Sequence, residues 1–216
     1  MTNFRLCVLL ALSTGCASMK QNDSDPQHSS SKIEQLAAKL APCDLAEMAM
    51  GLASDPQVKS ASTEFPETAL YVTLVEDPHR QDRVRFAAAL VLKSRAETAD
   101  PQATAQVFAT ALQKNLIGYA YPWGRLWAEG DPLGPLGATL VAIGRPAVPA
   151  LAALLGDTAP RDSYLGSEEA TEMAMRRYRV KDFAAFYLAR IIGVELPWQP
   201  DLANRDEAIA KLRAKL

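Results

Sequence analysis

The chain has 216 residues, with 23 Lys and Arg against 25 Asp and Glu, a net charge of −2, and 49% hydrophobic residues. A mildly acidic chain without a long basic run excludes nucleic-acid binding by phosphate neutralisation, which needs clustered Lys and Arg. Two of the three cysteines, Cys7 and Cys16, stand in the first segment and leave Cys43 alone, which excludes a disulfide framework.

The opening "MTNFRLCVLLALSTGCASMK" reads as a targeting segment. Arg5 forms a short positive region, Leu6 to Leu12 an uninterrupted apolar run, and small residues follow. The run is far shorter than the roughly 20 residues of a membrane-spanning helix. "LSTGC", ending at Cys16, resembles the lipobox of bacterial lipoproteins. The resemblance implies cleavage before Cys16, a diacylglycerol thioether on its sulfur and an acylated amine. Ala17, where an Asp would imply inner-membrane retention, suggests the outer membrane, with the chain facing the periplasm. A secretory signal cut after Ala17 or Ser18 is the alternative. Residues 1–15 are then the signal peptide, and 16–32 the lipidated cysteine with a polar, Ser-rich, flexible tether. Loss of Arg5 leaves 22 basic against 25 acidic residues, a net charge of −3.

From Ile33 to Leu216 the apolar spacing is helical. "ETALYVTLVED", "DRVRFAAALVLKS", "PQATAQVFATALQ", "LGATLVAIG", "AVPALAALLGD", "DFAAFYLARIIG" and "RDEAIAKLRAKL" repeat apolar residues at i, i+3, i+4 or i+7. Asp100-Pro101 and Arg145-Pro146 mark helix starts. Gly144, Gly156 and Gly193 stand where left-handed C-caps belong. In the last helix Asp206 and Glu207 precede Lys211, Arg213 and Lys215, as the helix dipole favours, and Ile209, Leu212 and Leu216 form one stripe. No strand signal intervenes.

"VRFAAALVLKS", "LGATLVAIG" and "VKDFAAFYLARIIG" share small residues followed by Leu or Ile and a break, at intervals of roughly 50 residues. Ala87, Ala88, Ala138, Ala184 and Ala185 would let neighbouring helices approach closely. "LVAIGRPAVPALAALLGD" (140–157) resembles a HEAT repeat. The resemblance implies an all-α single domain over 33–216, a solenoid of antiparallel helix pairs, used to bind or scaffold proteins. It carries over no catalytic residue.

Little in the chain suggests chemistry. His28 lies in the tether and His79 in a charged loop, too few for zinc, which takes three or four N or S ligands. Cys43 has Ala, Leu and Met neighbours at helical spacing and reads as a buried thiol. No phosphate loop or nucleophile elbow occurs, and no cofactor or metal is implied.

Two stretches are candidates for binding. "YAYPWGRLWAEG" places Tyr119, Trp123 and Trp127 at i+4 spacing, with Tyr121 and Arg125 between them. With Pro122 as first residue and Gly130 as stop, it reads as a two-turn helix, either a packed connector or a partner-binding surface. "MRRYRVK" gathers Arg176, Arg177, Arg179 and Lys181, either a solvated helix face or an anion-binding patch. The resulting expectation is a lipid-anchored module of the cell envelope that binds another protein. The alternative is an envelope hydrolase whose carboxylates the fold brings together.

Overall fold

The computed structural model describes residues 26–51, 56–128, 132–161, 171 and 174–216. Cys16 and the signal segment lie outside the described residues. Ten α-helices are described: α1 (Pro26–Leu40), α2 (Leu45–Ala49), α3 (Pro56–Glu64), α4 (Thr68–Glu76), α5 (Asp82–Ser94), α6 (Pro101–Gln113), α7 (Gly134–Ile143), α8 (Val148–Ala153), α9 (Val180–Ile192) and α10 (Leu202–Arg213). Among the described residues there is no strand, only an isolated bridge between Pro160 and Arg179. The fold is all-α. Helix α1 starts at Pro26, inside the stretch expected to be a tether, so helical structure begins before Ile33.

Local signals explain most boundaries. Asp100 caps α6 by accepting from the Ala103 N–H at 2.8 Å, with Pro101 in the first turn. Asp44 and Asp201 cap α2 and α10 in the same way. Gly193 ends α9 as a left-handed cap, at φ 71° and ψ 32°, whereas Gly144 ends α7 at φ 74° and ψ −138°, outside the left-handed helical region. Gly156 does not act as a left-handed cap: it closes a short 3-10 turn, Leu154–Gly156, and lacks a positive φ.

Two helices form the centre. Helix α5 buries every residue from Val84 to Leu92, and α9 every residue from Val180 to Ala189. A helix buried all round needs neighbours on every side, and small residues let them come close. Ala87, Ala88, Ala184 and Ala185 are fully buried in these helices. Ala138 is exposed instead. Packing follows chain order: α1 against α3 and α4, α4 against α5, α5 against α6, α6 against α7 and α8, both of these against α9, and α9 against α10. The pair that resembles a repeat departs from an antiparallel hairpin, because the chain bends by 105° between Gly134–Ile143 and Arg145–Gly156. In α10, Ile209 and Leu212 are buried, but Leu216 lies past the helix end and is 48% exposed.

Arginines tie the helix ends together. The last carbonyls of a helix lack intrahelical donors and carry partial negative charge, which a guanidinium satisfies in two or three bonds. Arg83 donates to the Ala41 and Cys43 carbonyls after α1, and Arg85 twice to Val75 in the last turn of α4. Arg95 reaches Ser62, Phe65 and Pro66 at the end of α3. Arg161 reaches Leu112 and Gln113 at the end of α6. These hydrogen bonds give the four arginines a structural role.

A candidate aromatic and arginine face

The segment that follows α6 is not a two-turn helix. Only Tyr121–Trp123 forms a 3-10 turn, and Gly124 then takes a φ of 99° that stops it. A side chain at Gly124 would run into the backbone of Pro132 and Leu133, so this close approach requires glycine. The break sends the two Trp rings to different places. Trp123 is 1% exposed and stacks with Phe86, centroids 6.4 Å apart. Its carbonyl accepts from the Tyr187 hydroxyl of α9. Trp123 is therefore a core residue, unavailable to a partner in this conformation.

Trp127 has a different environment. It is partly buried and has a φ of 58°, an unusual backbone for a bulky residue that survives where packing over-determines it. Its ring lies 5.1 Å from Phe186, 6.0 Å from Tyr178 and 5.1 Å from Trp198. Its indole N–H donates to the Leu196 carbonyl at 2.7 Å. The Tyr178 hydroxyl, in turn, donates to the Leu126 carbonyl. Burial pushes the Tyr178 phenol up to about 12. The two candidate stretches thus meet, Tyr178 of one against Trp127 of the other. Of the remaining residues in the first, Tyr121 is 48% exposed, Arg125 is partly buried, and Tyr119 is partly buried with its phenol raised by burial and by the Asp44 charge.

The basic stretch divides. Asp182 is fully buried and accepts from the Arg179 backbone N–H at 2.8 Å, from the Arg179 guanidinium at 2.9 and 3.0 Å, and from Arg205 at 3.1 Å. Arg179 and Lys181 each approach Asp206 at 2.8 Å. Burial pushes the Asp206 carboxyl up, but the hydrogen bonds and charges of Lys181 and Arg179 outweigh it and hold it below the usual carboxylate value. Arg179 and Lys181 are committed to these ion pairs and do not present an anion patch. Arg177 stays exposed, and Arg176 lies 5.2 Å over the Trp198 ring.

The face that results combines partly buried Trp127 and Trp198 with cations on aromatic rings. Arg205 lies 4.3 Å over Trp198, and Arg190 lies 5.0 Å over Phe186. A hollow of about 330 Å³ adjoins it, lined by Trp127, Pro132, Phe186, Arg190, Glu195 and Leu196. Trp198 escaped the sequence reading because "LPWQP" has no helical period; the Trp between two prolines was its one signal. A second cleft, of about 450 Å³, opens between α5, α6 and α7 and contains Glu97.

His79 is exposed, its backbone N–H bound to Asp77, and Cys43 is 1% exposed with its thiol near the Lys39 carbonyl. Among the described residues, no three His, Cys, Asp or Glu side chains gather to hold a metal, and no single helix is long and apolar enough to cross a membrane. Comparison with protein-family models, with curated proteins and with solved structures finds no match to this chain, so any function must be argued from the face itself.

Proposed function

We propose that the chain is a protein-binding module of the bacterial cell envelope, anchored through acylated Cys16, with α1 to α10 forming a HEAT-like helical stack. The observation that carries the reading is the Trp127–Trp198 pair, partly exposed and bracketed by Arg176 and Arg190 on aromatic rings. Trp and Arg dominate binding hot spots, because a rigid aromatic ring and a stacked guanidinium bury much area for little lost freedom. The adjoining hollow suits an apolar side chain of the partner, placed between Arg190 and Glu195. A short lipobox, a polar segment and a helical body suit display of this face beside a membrane.

The hydrolase alternative asks for carboxylates converging on a cleft. The two carboxylates in the ion-pair cluster, Asp182 and Asp206, are instead ion-paired with Arg179, Arg205 and Lys181, which suits holding α10 on α9.

Photo-cross-linking in bacterial cells tests the binding reading. A benzophenone amino acid in place of exposed Glu195, at the rim of the hollow, should yield one discrete protein adduct, and the same reagent in place of exposed Gln102 on α6 should not. Equal or absent adducts at both positions would reject the face as the binding surface.

A further inference from the structure

We propose that the cleft between α5, α6 and α7 binds an uncharged alkyl molecule that carries a hydroxyl group, an alkanol in its simplest form. This site is separate from the aromatic face and does not depend on the reading given for it. Its volume of about 450 Å³ falls in the usual range for small-ligand pockets, roughly 300–1,000 Å³.

Small residues leave the space open. Ala89 of α5, Ala96 just past it, Ala99 before α6 and Ala142 of α7 all line the cleft, four methyl groups where longer side chains would close it. The chain between α5 and α6 forms one wall. There Ala96 adopts a φ of 55°, and the Glu97 N–H returns to the Leu92 carbonyl at 2.9 Å, which binds this stretch to the helix end. Ile143 of α7 adds further apolar surface, which an alkyl chain would cover.

The polar groups decide the ligand's head. Lys93 and Glu97 both line the cleft, so a charged ligand of either sign meets one like charge as well as its opposite. A charge would also lose hydration against the apolar walls, at a cost that a neutral group largely escapes. The threonines select instead. Thr104 and Thr139 spend their hydroxyl hydrogens on the Asp100 and Pro135 carbonyls of their own helices, and so meet a ligand as acceptors. Thr98, exposed at the same cleft and without a hydrogen bond among the described residues, keeps its hydrogen to donate. A hydroxyl answers both, because one oxygen donates and accepts without carrying charge.

Amide-detected NMR titration of the purified full chain with hexanol tests the site, beside methyl pentyl ether, hexylammonium chloride and sodium hexanoate. Hexanol should shift resonances of α5, α6 and α7 saturably, in the millimolar range. The ether has the same length but cannot donate, and should bind about fivefold less tightly. Neither ion should bind more tightly than hexanol. Thr104→Val combined with Thr139→Val should lower hexanol to the level of the ether. Ala142→Trp, at an exposed position, should fill the cleft and abolish the shifts, even if the threonine variant folds poorly. Equal binding of hexanol and the ether, about tenfold tighter binding of either ion, or unchanged shifts in the Ala142→Trp chain would overturn the proposal.

Discussion

Trp127 and Trp198 sit with ring centroids 5.1 Å apart, although the whole of α7, α8 and α9 lies between them in sequence. The contact depends on Trp127 leaving the direction of Trp123, which Gly124 and a left-handed Trp127 backbone bring about. It also depends on Arg205 of α10, which is 2% exposed and stacks on Trp198 while bonding to Asp182.

The two Trp rings that share one short segment should separate in thermal melts. Trp123→Ala removes a side chain from a closed core and should cost about 3–5 kcal/mol. Trp198→Ala, partly solvated already, should cost clearly less. Equal losses would mean that the face is as closed as the core.

Asp182→Ala should destabilise by about 3–5 kcal/mol, because Arg205 would remain buried without its counter-charge and Arg179 would keep only Asp206. Denaturant unfolding measures this. A loss below about 1 kcal/mol would place both guanidiniums in water.

Acid should loosen α10 through Asp206. Its folded carboxyl titrates below the unfolded value of 3.8, so the stabilisation is present above that value and is lost as pH falls through the lowered one. Its side chain is 44% exposed, so the effect is small and screened by salt. Asp206→Asn should flatten this acid limb in melts between pH 5 and pH 2.

Alkali acts on Tyr178 with the opposite sign. The folded phenol titrates near 12 against 10.0 unfolded. Its protonated form is favoured by folding, so this stability is complete below pH 10 and lost as pH rises towards 12. Two units correspond to roughly 2–3 kcal/mol. Tyr178→Phe should start about 1 kcal/mol less stable, through the lost bond to Leu126, and lack this alkaline loss. Parallel alkaline limbs in both proteins would place the Tyr178 hydroxyl in solvent.

The helical body was legible where pattern and punctuation agree. Helices α5 and α6 span the very stretches "DRVRFAAALVLKS" and "PQATAQVFATALQ", because an apolar period, Asp100-Pro101 and buried alanines all point one way. The face was legible only in part. Tyr178 and Trp127 were each visible as candidates, but their meeting depends on a positive φ at Gly124 and Trp127, which spacing alone does not reveal. The basic run misled because Asp182 meets Arg179 only across one turn of helix, and Asp206 reaches Arg179 and Lys181 only through the docking of α10. Trp198 had no periodic neighbours to draw attention to it.

Cys16→Ser should abolish labelling by radioactive palmitate and block maturation at that site. Unchanged processing with the protein still at the membrane would contradict the lipid anchor.

The central claim, that the Trp127–Trp198 face binds a protein, is tested most directly by isotope-quantified capture from envelope extract with the intact chain and with Arg190→Glu. Arg190 is exposed and stacks only on Phe186 among the described contacts, so the variant should melt like the unaltered chain. The account predicts one reproducible partner that the charge-reversed chain recovers about tenfold less well or worse. Equal recovery of that partner by both chains would contradict it.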